Sequence, residues 1–120
     1  MTAQRVFQRI KFAAKVEVDI NGTLNEATLV DISFRGVLVA FLEELNPELG
    51  SPCHLTVHLN QSEVQLPFEG VVVHSNGHLT GIKFTLISIE AMIHLRRLLE
   101  LNSGDPDQVR SELNSFIEPA

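Results

Sequence analysis

Lys15-Val16-Glu17-Val18-Asp19-Ile20-Asn21-Gly22 carries a clear two-residue period that ends in a turn pair. Apolar Val16, Val18 and Ile20 alternate with charged Lys15, Glu17 and Asp19, in a pattern that begins at Phe12. Successive side chains of a strand point to opposite faces, so period two over this length predicts a half-buried β-strand. Asn21-Gly22 ends it with a strong hairpin signal, because both residues tolerate the positive φ of a type I′ turn. A second strand is therefore expected from Thr23 to Val30.

Further strands follow outward. Turn-forming residues interrupt the pattern at Asp31-Ile32-Ser33-Phe34-Arg35-Gly36, and Gly36–Phe41 is a short apolar strand. Asn46, Pro47, Gly50 and Pro52 mark a loop between Glu43 and Pro52. Strands are expected near Cys53–Leu59, Glu63–Ser75 and His78–Leu86, the last two joined by a hairpin at Asn76-Gly77. Pro67 and Gly70 point to a bulge or an edge position. The period then changes to helical, with Met92, Leu95, Leu98, Leu99 and Leu101 predicting an amphipathic helix over Ile89–Asn102 that Gly104 ends. Asp105 and Pro106 suit the cap and first position of another helix, and Gln108 can reach back as in a capping box. The apolar face of this second helix is Val109, Leu113, Phe116 and Ile117.

Six strands with tight hairpins followed by helices predict an all-β core with a helical tail. A six-stranded antiparallel β-barrel is favoured because closure removes exposed strand edges, although periodicity alone also fits a sandwich. The domain organisation expected is a flexible N-terminal ligand-binding arm over 1–11, a barrel plus helix over 12–102, and a C-terminal helix and tail over 103–120.

Composition narrows the function. The 120 residues suit one domain, and 44% are hydrophobic, enough to fold without staples. The lone Cys53 permits no internal disulfide, and it reads as a buried strand cysteine. No basic-then-apolar leader opens the sequence and no apolar run approaches the roughly 20 residues of a membrane span. The expectation is a soluble, cytoplasmic protein.

A net charge of −6 argues against a general DNA or RNA binder. Yet residues 1–15 hold Arg5, Arg9, Lys11 and Lys15 with no acid before Glu17, which suits a small, local anion. An oligonucleotide-binding barrel is opposed by this charge and by the absence of Trp and Tyr. Of the histidines, His54 and His58 stand roughly 13 Å apart along a strand. His74 and His78 flank a hairpin without a third ligand, so no metal site is expected. No nucleophile elbow, phosphate-cradling loop or helical metal motif occurs, so no catalytic residue is assigned and the chain is not expected to be an enzyme.

Two constellations carry the chemistry. Arg5 and Arg9 place two guanidiniums on one arm, and a guanidinium can grip a phosphate, hydrogen-bond the O6/N7 edge of guanine or stack on a base. Asp31-x-Ser33-x-x-Gly36 lies at a strand junction. Asp31 can accept from the N1–H and N2–H₂ edge of guanine, Ser33 can add a hydrogen bond, and Gly36 admits close backbone approach. The same hexapeptide also fits ordinary turn chemistry, with Asp and Ser bonding their own backbone.

Taken together, Arg5-x-x-x-Arg9, 21 intervening residues and Asp31-x-Ser33-x-x-Gly36 resemble the signature of the PilZ domain family, bacterial receptors for cyclic-di-GMP. Gly70-Val71-Val72-Val73 and Gly81-Ile82-Lys83-Phe84 resemble that family's later paired strands. The resemblance implies that Arg5 and Arg9 clamp phosphates and guanine faces, that Asp31 and Ser33 read a guanine edge, and that Gly36 is the close-approach glycine. Gln4 stands where some relatives carry an extra arginine associated with two intercalated ligands, so one ligand per chain is expected. Gln4, Arg35 and Gly81 are minor candidate contacts. The function implied is a cyclic-di-GMP receptor that changes conformation and signals to a downstream protein, needing no cofactor and existing as a monomer or weak homodimer. The alternative is a PilZ-fold protein-interaction adaptor with weak or no nucleotide binding.

Overall fold

The structure, a computed structural model, describes residues 9–59 and 63–117, with side chains through Asn114. Seven strands and two helices follow one another: β1 (Ile10–Lys11), β2 (Lys15–Ile20), β3 (Thr23–Ile32), β4 (Gly36–Phe41), β5 (Pro52–His58), β6 (Gln65–Asn76), β7 (Leu79–Ile87), α1 (Ile89–Ser103) and α2 (Pro106–Ile117). All pairings are antiparallel. The order β3-β2-β5-β6-β7-β4 closes on itself through β3–β4, giving a six-stranded barrel with β1 outside it on the edge of β3. Closure settles the choice that periodicity left open between barrel and sandwich.

The stretch over 15–22 folds as its pattern requires. Val16, Val18 and Ile20 are buried, and Asn21 and Gly22 take φ of 53° and 88° between the paired Ile20 and Thr23. Asp19 adds a cap on the turn, its Oδ1 accepting from the Gly22 N–H at 2.9 Å. Alternate residues of every barrel strand fill the interior, among them Leu29, Val37, Val39, Leu55, Val57, Leu66 and Ile82. Phe68 and Phe84 stack within it with centroids 4.4 Å apart.

Pro67 pairs with Thr56 of β5 alone, an edge position with respect to β7, whose pairing starts at Phe68. Register shifts follow between Glu69 and Gly70 and again between Val72 and His74. The helices cap the fold. Ser88 accepts from the Ala91 N–H at 3.1 Å to start α1, and Gly104 ends it at φ 79°. Asp105 caps α2 by accepting from the Gln108 N–H at 3.1 Å. The expected reciprocal capping bond is replaced: the Gln108 side-chain amide donates to Glu112 instead, at 3.2 Å.

Two further readings change. Ile10 and Lys11, expected in a free arm, pair with Ile32 and Asp31 of β3, and Ile10 is buried. From Lys11 to Lys15 the chain advances four positions while β3 advances three, so one extra residue interrupts an otherwise continuous edge. Leu101, expected on the packed face of α1, is exposed; Ala91, Leu95, Leu98 and Leu99 form that face, and Leu101 falls to its flank. α2 packs on α1, with Val109 fully buried. The Phe116 and Ile117 side chains, and residues 118–120, lie outside the described residues.

Candidate ligand-binding site

The Asp31–Gly36 junction is a hairpin held by its own serine. The Ser33 N–H donates to the Gly36 carbonyl at 2.9 Å, and the Ser33 hydroxyl accepts from the N–H groups of Arg35 and Gly36 at 3.1 and 3.3 Å. Ser33 is 1% exposed and Phe34 is wholly buried, so the turn is pinned inward at both residues. Arg35 is thereby pushed to the outside, while its carbonyl accepts from the Phe84 N–H at 2.8 Å and ties the turn to β7. The turn chemistry expected of Ser33 is present.

Gly36 is also a structural residue. A Cβ there would lie 2.1 Å from the Ile82 carbonyl oxygen of β7. Its bare Cα lets β4 approach β7, so the close approach it admits is that of a neighbouring strand. Gly70 does the same from the other side, with a Cβ position 2.5 Å from the Lys83 carbonyl oxygen.

Asp31 sits at the irregularity of the β3–β4 pairing, where the register shifts between Leu29 and Asp31. The Arg9 Nη1 donates to its Oδ1 at 2.5 Å. The two halves of the motif, 22 residues apart in sequence, are thus in contact, because β1 on the edge of β3 delivers Arg9 to the end of that strand. The pair is partly solvated, with side chains 52% and 18% exposed, which leaves part of the guanidinium and the second carboxylate oxygen for other partners. Arg5 and Gln4 lie outside the described residues.

Arg9, Asp31, Arg35 and Gly36 line one cavity of about 510 Å³, joined by Val37, Leu38, Val73, His74, Gly81, Ile82 and Lys83. Three cations face one carboxylate here, against −6 for the whole chain. The floor is apolar and the charges rim it, an arrangement that suits a flat, anionic ligand with polar edges. Gly81 faces His74 across the β6–β7 pair, and a Cβ on Gly81 would be 3.1 Å from that of His74.

His74, Val73 and Lys83 escaped the sequence reading as lining residues. Adjacent residues of a regular strand face opposite sides, yet the bulge between Val72 and His74 turns both Val73 and His74 outward to the same cavity. Lys83 pairs with Gly36 across β4–β7, a neighbour relation that becomes visible only when the strand order is known.

Three of the four remaining histidines have partners elsewhere. His58 meets Glu17 at 2.5 Å, His54 stands 3.7 Å from Glu69, and His78 Nδ1 lies 3.1 Å from the Phe41 carbonyl. Among the described residues no group of three or more His, Cys, Asp or Glu is placed to hold a metal ion. No described helix is long and apolar enough to cross a membrane.

Solved structures share this architecture. The inhibitor of motility of Bacillus subtilis (MotI/DgrA) superposes with a TM-score of 0.66 at 20% identity, covering 82% of this chain and 52% of its own, so the present chain spans about half its length. The PilZ domain of CeSA from a cellulose-synthesizing bacterium gives 0.62 at 16% identity, covering 76% and 93% of the two chains. The PilZ domain of Escherichia coli YcgR, solved with c-di-GMP, gives 0.66 at 12% identity, covering 90% and 98%. At these identities the likeness establishes the fold. The family model described as PilZ domain matches residues 3–101, which takes in both motifs, the whole barrel and most of α1. With that match over more than half its length, the chain belongs to the PilZ domain family.

Proposed function

We propose that this protein is a receptor for cyclic-di-GMP, with its site at the mouth of the cavity bounded by Arg9, Asp31, Arg35 and Lys83. The observation that carries the reading is the contact between Arg9 and Asp31, which joins the arginine arm to the Asp-x-Ser-x-x-Gly turn on one charged rim. A bis-guanine dianion offers phosphates, π faces and guanine edges to such a rim. Arg9 and Arg5 supply charge and stacking planes; cation–π contacts are worth about 0.5–2 kcal/mol and a bidentate guanine contact about 1–3. Asp31, oriented by Arg9, uses its remaining lone pairs to accept the N1–H and N2–H₂ edge that distinguishes guanine from adenine. Ser33 and Gly36 act as positioning residues that fix this corner against β7. Binding at this rim alters the surface that the receptor offers to a downstream protein. No step in this account makes or breaks a covalent bond. The protein acts as a cytoplasmic receptor and not as an enzyme.

Calorimetric titration with cyclic-di-GMP beside GTP and cyclic-di-AMP tests the reading. It predicts saturable binding of cyclic-di-GMP with a Kd on the order of a micromolar, about −8 kcal/mol, and no comparable heat for the other two. Equal binding of cyclic-di-AMP would remove Asp31 from base selection. Absence of any cyclic-di-GMP heat would favour the adaptor role.

A further inference from the structure

The outward face of α1 has no place in the nucleotide site. Ile89, Ile93 and Leu101 are 82%, 50% and 77% exposed, and with Arg97 they follow one another at four-residue spacing along a single stripe. Leu86, exposed at the end of β7, extends the apolar surface beyond the helix N-terminus. Most other charges of the helical pair are matched within the chain: Arg96 with Glu100, and Arg110 with Glu100 and Asp107. Glu90 and Arg97 are exposed, and neither takes part in an ion pair among the described residues.

Their spacing is the informative feature. Seven residues are two turns, so Glu90 and Arg97 lie within about 20° of each other around the helix and about 10.5 Å apart along it. Ile93 stands between them along the axis. A surface with an acid at one end, a base at the other and an apolar residue between is complementary to itself when turned end for end. We propose that this face of α1 pairs antiparallel with α1 of a second copy about a two-fold axis near Ile93. Glu90 of each copy then meets Arg97 of the other, and Leu101 reaches over the end carrying Ile89 and Leu86. An isologous contact of this kind closes at two copies. One helix face is smaller than the roughly 800 Å² per partner of a standard stable interface, so the dimer is weak and depends on concentration.

The test is sedimentation equilibrium of the full chain over a concentration series, without nucleotide, so that its outcome is separable from that of the receptor reading. The expected wild-type behaviour is a reversible monomer–dimer equilibrium. Ile93→Asp places two carboxylates on the axis and leaves a monomer at every concentration. Glu90→Arg and Arg97→Glu each juxtapose like charges and raise the dissociation constant about fivefold or more, and the exchanged pair Glu90→Arg/Arg97→Glu restores it to within about twofold. Measured at low concentration, Arg97→Glu keeps the wild-type melting temperature, while Ile93→Asp at a half-exposed position and the variants that replace Glu90 in the first turn of α1 lower it by no more than a few degrees. A wild-type chain that stays monomeric throughout overturns the proposal, as does a dimer that survives Ile93→Asp or an exchanged pair that fails to recover. A monomeric wild type whose melting temperature falls by more than a few degrees with Ile93→Asp overturns it too, since the stripe would then be covered by the chain itself.

Discussion

Gly36→Ala is the perturbation that most sharply separates a ligand-contact glycine from a fold glycine. The added methyl carbon would start 2.1 Å from the Ile82 carbonyl oxygen, whereas real Cβ atoms essentially never come closer than 3.0 Å to a neighbour. Relief therefore requires β4 and β7 to part by close to an ångström at the Gly36–Lys83 pair. The obstacle is backbone on a central barrel strand, which has no rotamer to change. Overpacking of this kind costs about 1–3 kcal/mol and more where backbone must move, so about 2–4 kcal/mol is expected. For a domain of this size each kcal/mol lowers Tm by roughly 3–6 °C, which puts the expected fall at about 6–24 °C. Thermal unfolding followed by far-ultraviolet circular dichroism reads it directly. Gly81→Ala is the control, since its Cβ would stand 3.1 Å from the His74 Cβ and no nearer than 3.9 Å to any backbone atom, and its Tm is expected within about 3 °C of wild type. A Gly36→Ala protein that melts with the wild type would refute the strand-approach reasoning and return Gly36 to the ligand.

Other outcomes follow from the same structure. Ser33→Ala strips the acceptor from the Arg35 and Gly36 N–H groups and should destabilise by about 1–3 kcal/mol in chemical denaturation; a change under about 0.3 kcal/mol would mean the hydroxyl is dispensable to the turn. Burial pushes the Cys53 thiol up from 9.0 to about 11. The folded state therefore holds this proton more tightly than the unfolded chain, and the contribution to stability, present below pH 9.0, is lost as pH rises toward 11. Cys53→Ser should flatten that decline in urea-unfolding free energies, and a decline unchanged by the substitution would exclude Cys53 as its source. Asp105→Ala removes the cap of α2 and should cost about 1 kcal/mol of helix stability, read as faster amide exchange across Val109–Leu113. Unaltered exchange there would show that packing on α1 alone holds the helix.

Local signals carried most of the fold. The Lys15–Ile20 alternation, the Asn21-Gly22 turn, the Gly104 stop and the Asp105 cap each act through neighbours in sequence, and each appears where local chemistry places it. Features that depend on pairing partners were not legible. The β1 strand is two residues long and has no periodicity of its own; it exists because β3 offers an edge. The bulge that aims His74 at the cavity is set by register with β7. For the site, Asp31 and Arg9 could be paired from the motifs, but the occupation of Ser33 by its own turn and of Gly36 by Ile82 required the packed barrel. A hydroxyl or a glycine looks the same in sequence whether it serves a ligand or the backbone.

Titration of cyclic-di-GMP into wild-type protein and into Arg9→Ala, with melting curves of both run in parallel, reads out whether Arg9 holds the nucleotide. Because the Arg9–Asp31 pair is half solvated, its loss should change stability by no more than about 1 kcal/mol. Affinity, by contrast, should fall tenfold or more, about 1.4 kcal/mol. Identical isotherms for the two proteins would mean that the guanidinium touching Asp31 has no part in holding the nucleotide.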